Sequence, residues 1–233
     1  MIGRFGETRV YKNKELWLAL LCMLLIGGIY GLMMIWNREV PAASGFFGHM
    51  VGVLGFVLML MTELFYSLRK RSRTARWGKM SDWLEFHIFT GLVGPFMVLL
   101  HSSWKFNGLA GAVMLMTLVI VVSGFVGRYI YTAVPRTVDG MEVEKPVLEQ
   151  TMQGMDSEVM KLEREGQTGA GTRERLKKLR KEREKLQRQV RSLVRTRRML
   201  AIWHTIHIPI GMALFTAAFI HIGAAIYYAT LLH

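Results

Sequence analysis

The chain has 233 residues, 52% of them hydrophobic, and a formal net charge of +13. The apolar residues are gathered into long blocks rather than spread at amphipathic spacing, which excludes an ordinary soluble domain and points to one small membrane domain. A single cysteine, Cys22, excludes an intrachain disulfide, a cysteine-ligated iron–sulfur cluster and a C-x-x-C-H haem attachment.

Five blocks are long enough to cross a hydrocarbon core, given that a spanning helix needs about 20 mostly apolar residues. The first runs from Leu16 to Trp36; it is too long for a secretory signal and no small-residue cleavage site closely follows it, so it reads as a retained anchor. The second runs from Phe46 to Leu68 and the third from Trp83 to Ser102. The fourth spans Leu109 to Tyr131, and the fifth Leu200 to Leu232. Short cytoplasmic loops carry the excess of Lys and Arg. The N-terminal tail holds Arg4, Arg9, Lys12 and Lys14, and the connection after the second block holds Arg69, Lys70, Arg71, Arg73, Arg76 and Lys79. The connections around Asn37 to Ser44 and Ser102 to Gly108 carry only Arg38 and Lys105 as positive charges. This bias predicts a cytoplasmic N-terminus and an external C-terminus.

Between the fourth and fifth blocks the pattern changes. Residues 134–199 carry Pro135 and Pro146 early, then become rich in Glu, Lys, Arg, Gln and Leu, punctuated by GQTGAG at 166–171. That composition predicts a cytoplasmic helical hairpin. In its second half Leu176, Leu179, Leu186, Val190 and Leu193 form a narrow apolar seam for a partner helix to cover. The basic surface has no base-reading motif and no interleaved aromatics, so nucleic acid is not expected as a partner; anionic membrane lipid or a partner subunit is. The fold class is therefore all-α: a five-helix membrane bundle formed by 1–133 and 200–233, with the charged arm of 134–199 inserted.

The functional signal lies in two segments, HIFTGLVGPFMVLLH at 87–101 and HIPIGMALFTAAFIH at 207–221. Each is apolar between two terminal histidines, with a glycine four residues after the first, Gly91 and Gly211. An α-helix turns 100° and rises 1.5 Å per residue, so fourteen residues fall about 40° short of four turns and climb about 21 Å. Each pair thus lies on one face at two depths. With the third and fifth spans parallel, His87 matches His207 on the inner side and His101 matches His221 on the outer side. Two imidazoles from facing helices can ligate one iron axially, which is how a b-type haem is held without covalent attachment. Gly91, Gly94 and Gly211 are candidates for keeping the backbone low beside such a group, although glycine also serves close helix packing. Arg128 and Arg136 are candidate partners for inner haem carboxylates and Lys105 for outer ones. His49 and His204, outside the repeated spacing, are expected to bond within the protein or relay protons. No residue is assigned a catalytic role.

The spacing on parallel helices resembles the cytochrome b subunits of quinol:cytochrome c reductases, and more closely the ferric reductase-like transmembrane domain of ferric reductases and NADPH oxidases, whose ligands also come from the third and fifth spans. SGFVGRYIYTAVPR at 123–136 is similar to the end of a helix in bacterial membrane cytochromes b, which implies the inner membrane of a bacterium as the setting. The resemblance covers spans two to five and leaves out the arm. It implies two non-covalent, bis-histidine b haems. The flavin and nicotinamide domain of the reductases has no counterpart up to His233, and no G-x-G-x-x-G or P-loop pattern follows a predicted strand, so the expected electron donor is another molecule. The expected function is transmembrane electron transfer between a quinone pool and a redox partner, within a respiratory or related complex. A free-standing reductase of a metal ion or oxygen species, and a haem-free transporter or scaffold with relay histidines, are the alternatives.

Overall fold

The structure is a computed structural model that describes residues 13–71, 80–132, 145–164 and 170–231. Among these residues it contains six helices and no strand: α1 Lys14–Asn37, α2 Phe46–Arg71, α3 Met80–His101, α4 Gly108–Thr132, α5 Lys145–Arg164 and α6 Ala170–Leu231. Five of the helices are long and apolar enough to cross a membrane, as the composition predicts. The fifth such stretch is not a separate element, because α6 is one continuous helix of 62 residues that joins the charged second half of the arm to the last apolar block. Strong helix formers fill that junction, and no glycine or proline interrupts 172–208. The prolines that do lie inside helices, Pro95 in α3 and Pro209 in α6, leave those helices unbroken. Spanning helices tolerate proline because neighbouring groups take up the released backbone acceptors.

The N-terminal basic tail, Arg73, Arg76 and Lys79, the 133–144 segment with Arg136, and most of the GQTGAG run lie outside the described residues.

The chain divides into two compact units. The larger combines Lys12–Val126 with Ile206–His233. One core packs α1, α2 and α3 through Ala19, Tyr30, Val51, Val93, Met97 and Leu100. A second gathers Met59 and Phe56 of α2, Val98 of α3, Val113, Met116 and Ile120 of α4, and Leu214 and Ala218 of α6. Opposite these faces, large apolar side chains such as Leu24, Ile35, Leu115, Leu118 and Phe219 are exposed. A soluble helix would bury such residues, whereas lipid solvates them.

Glycines set how closely α2 and α3 approach. A Cβ on Gly55 would lie 2.9 Å from the Gly94 carbonyl oxygen, and one on Gly94 would lie 2.9 Å from the Gly55 carbonyl oxygen. The two backbones therefore cross in contact, as small residues allow in membrane bundles. At one end of the unit, Ser103 Oγ donates to the Pro41 carbonyl at 2.6 Å, tying the α3–α4 connection to the α1–α2 connection. At the other end, Glu85 of α3 is within electrostatic reach of Lys14 and Glu15 of α1. α1 and α3 are thus parallel, with α2 antiparallel between their ends.

The second unit takes in Gly127–Thr205. Here α5 and the first half of α6 form the expected antiparallel hairpin. Its seam consists of Leu148, Met152 and Met155 against Leu186, Val190, Leu193 and Leu200, with Leu148 and Leu193 fully buried. Three cross-helix ion pairs flank it: Arg175–Glu158 at 2.6 Å, Arg180–Glu163 at 2.8 Å and Arg183–Asp156 at 2.5 Å. Ion pairs this exposed contribute at most about 1 kcal/mol each, so the seam carries most of the hairpin's stability.

Candidate haem-ligand site

The four spaced histidines all lie in the larger unit and are all half-buried. On α3 they end a stripe in which Thr90, Gly94 and Met97 are buried, and on α6 a stripe in which Gly211, Leu214 and Ala218 are buried. Steps of three and four residues keep each stripe on one helix face.

On α3 both rings turn toward α2. His87 Nδ1 is 3.0 Å from the Thr62 carbonyl oxygen, and His101 Nδ1 is 2.9 Å from the Gly48 carbonyl oxygen. A carbonyl only accepts, so in each case Nδ1 carries the proton and donates it, leaving the lone pair of the neutral ring on Nε2. The two acceptors are themselves fourteen residues apart on an antiparallel helix, so α2 meets both histidines in one register. Next to His87, Thr62 Oγ1 and Thr90 Oγ1 lie 2.7 Å apart, pairing the hydroxyls of α2 and α3. Gly91, one turn after His87, has the Thr62 methyl 3.4 Å from where its Cβ would stand.

On α6, His207 Nδ1 is 3.0 Å from Ser123 Oγ of α4, again a bond between helices. Gly211 is buried, and within 4 Å of where its Cβ would stand lies Ile120 Cδ1, at 3.9 Å. His221 is close enough to His101 for the two imidazoles to interact electrostatically. His207 lies against Ser123, Gly211 against Ile120, and Leu214 and Ala218 share a core with Met116 and Val113, so α6 runs antiparallel to α4 and parallel to α3 in this unit. His101 is thus within electrostatic reach of His221, while His87 is anchored on α2 and His207 on α4.

The other two described histidines, His49 and His204, behave differently. His49 Nδ1 bonds the Gly45 carbonyl and His204 Nδ1 the Leu200 carbonyl, each one turn back in its own chain segment. His49 is exposed, and its ring sits edge-on to His101 with centroids 6.2 Å apart. His204 belongs to the second unit, beside the Trp203 ring at 4.8 Å. Arg128 is half-buried in that same unit.

Sequence reasoning missed Gly48, Thr62 and Ser123, which hold the rings. A backbone acceptor has no side-chain signature; the available signal was that positions 48 and 62 repeat the fourteen-residue interval on the neighbouring helix.

Among the described residues, no group of three or more His, Cys, Asp or Glu side chains converges as a direct metal cage. His87, His101 and His207 are each oriented by a bond from Nδ1 to a neighbouring helix. No protein-family model, curated protein or solved structure matches the chain. The reading of the site rests on its own residues.

Proposed function

We propose that this chain is a di-haem b-type membrane cytochrome in which His87 and His207 would hold one haem and His101 and His221 the other. The observation that carries the reading is the shared register of α2 and α3, in which two carbonyls fourteen residues apart receive the Nδ1 protons of two histidines fourteen residues apart. A histidine that ligates a metal donates its other ring N–H to a carbonyl, carboxylate or water, which fixes the tautomer and raises the basicity of the ligating nitrogen. His87 and His101 carry that arrangement, and Ser123 offers His207 a comparable partner. The low backbone at Gly211 and the parallel course of α3 and α6 are further support.

When bound, haem supplies one-electron redox chemistry, while the protein sets its potential through ligands, hydrogen bonds and burial. The role we assign is electron transfer across the membrane between a quinone pool and a redox partner protein, as one subunit of an oxidoreductase complex related to the ferric reductase-like and cytochrome b proteins. In that role the basic arm meets anionic lipid or a partner subunit.

The test is a reduced-minus-oxidised absorption spectrum of the purified chain with a haem assay. Two b-type haems per chain are expected; a protein without b-type bands overturns the proposal and leaves the histidines as hydrogen-bonding or relay groups of a transporter or scaffold.

A further inference from the structure

His101 reaches the Gly48 carbonyl across the surface of α2, and what it crosses is Gly52. A Cβ on Gly52 would stand 2.7 Å from His101 Cγ, 2.8 Å from Nδ1 and 2.9 Å from Cδ2, closer than non-bonded carbon and nitrogen approach. The imidazole lies flat against bare backbone there. Gly52 is four residues after Gly48, so its own N–H points along the helix at the Gly48 carbonyl that His101 also bonds. Any side chain at 52 therefore covers the very acceptor that the ring needs. The neighbouring glycines have other work: Gly55 faces the Gly94 backbone and Met97, and Gly48 faces the backbone of Ala42 and Ala43.

The geometry points to Gly52 as the positioning residue of His101: its missing side chain lets the ring seat on α2, donate through Nδ1 and present Nε2 in one fixed direction. The inference rests on the haem reading for its functional meaning, but the seating of the ring stands apart from it. The effect is confined to one level, because His87 takes its carbonyl from Thr62, nearly three turns further along α2.

In Gly52→Ala the methyl group displaces the ring from the Gly48 carbonyl. Electron paramagnetic resonance of the oxidised, full-length protein reads the relative orientation of two axial imidazoles. The low-spin signal that His101→Ala abolishes is expected to shift or vanish in Gly52→Ala, with the other signal unchanged and haem content falling by up to about half. Gly55→Ala is the packing control, and it is expected to lower thermal stability without shifting one signal selectively. Unchanged signals in Gly52→Ala, or equal perturbation of both haems, overturn the inference.

Should Gly52→Ala fail to fold, the pair His101→Gly and His101→Gly/Gly52→Ala has room for the methyl group. Added imidazole restores the low-spin spectrum in the first, and the concentration needed should rise about tenfold in the second. Equal concentrations overturn the inference. If the purified wild-type chain has no b-type haem, the proposed function fails and Gly52 is judged on the His101 tautomer alone. Nitrogen-15 shifts of histidine-labelled protein should then show protonated Nδ1 in wild type and a tautomer mixture in Gly52→Ala; the same tautomer in both would refute the positioning role.

Discussion

An imidazole placed in an apolar span carries one N–H and one lone pair, and the cost of leaving either unmet in hydrocarbon is several kcal/mol on the order of that for other buried polar groups. The chain meets the N–H of His87 and His101 from α2, and so commits both lone pairs to Nε2. A ligand substitution should therefore act at one level only. His87→Ala and His207→Ala are expected to remove or convert to high spin one haem, and His101→Ala and His221→Ala the other, while His49→Ala and His204→Ala retain both. Difference spectra of the six variants check this, and the decisive result is the pairing. If His87 behaves like His221, the helices are not arranged as the ligand assignment needs. The four histidines stood out in the sequence because a repeated interval between rare polar residues is visible without any structure. Their hydrogen-bond partners did not, since Gly48 and Thr62 act through carbonyls that every residue has, and Ser123 is one of many hydroxyls. What selects them is the register between antiparallel helices, and register is a property of packing.

Between α2 and α3 the backbones meet at the Gly55–Gly94 crossing, where each backbone occupies the space a neighbour's Cβ would take. Gly94 was flagged in the sequence for its nearness to the histidines, with helix packing as the other reading; in the structure its open side is filled by α2. Gly94→Val inserts three carbons into that contact, and overpacking of this kind costs about 1–3 kcal/mol. Because α2 holds both α3 rings, the damage should reach both levels: haem loss on heating at lower temperature for both haems together, in contrast to the one-level effect of a ligand variant. Gly91→Ala, with only the Thr62 methyl nearby, should change the same melting curve little. A curve for Gly94→Val like that of wild type would mean that α2 and α3 are held apart from this crossing by other contacts. The helices themselves were legible because long apolar blocks have few alternatives. The junction at Leu200 was not: hydropathy marks where the solvent changes, whereas helix continuity depends on backbone propensity, which stays high from the basic seam through Met199 and into the span.

For the molecule as a whole, the division into two units sets what each can lose. The unit that holds the four spaced histidines draws its cores from α1 to α4 and the last part of α6, and the α5–α6 hairpin has a separate seam closed by its own leucines and ion pairs. Replacing most of residues 147–195 with a flexible linker should then leave haem content nearly unchanged while impairing assembly or turnover with a partner; loss of haem would make the arm part of the cofactor unit. Orientation follows from charge. The two connections that Ser103 ties together, around Pro41 and Lys105, are the ones poor in Lys and Arg, whereas the N-terminal tail, the α2–α3 connection and the arm are basic. Translocating those basic segments is what the positive-inside bias opposes. A reporter fused after His233 should therefore be active on the external side and one inserted near Arg73 on the cytoplasmic side. Since α3 and α6 run parallel, the two reporters also locate the His101–His221 level: on the external half if the fusion after His233 reads outside, and on the cytoplasmic half if it reads inside, which would reverse the assignment of inner and outer levels without disturbing the pairs.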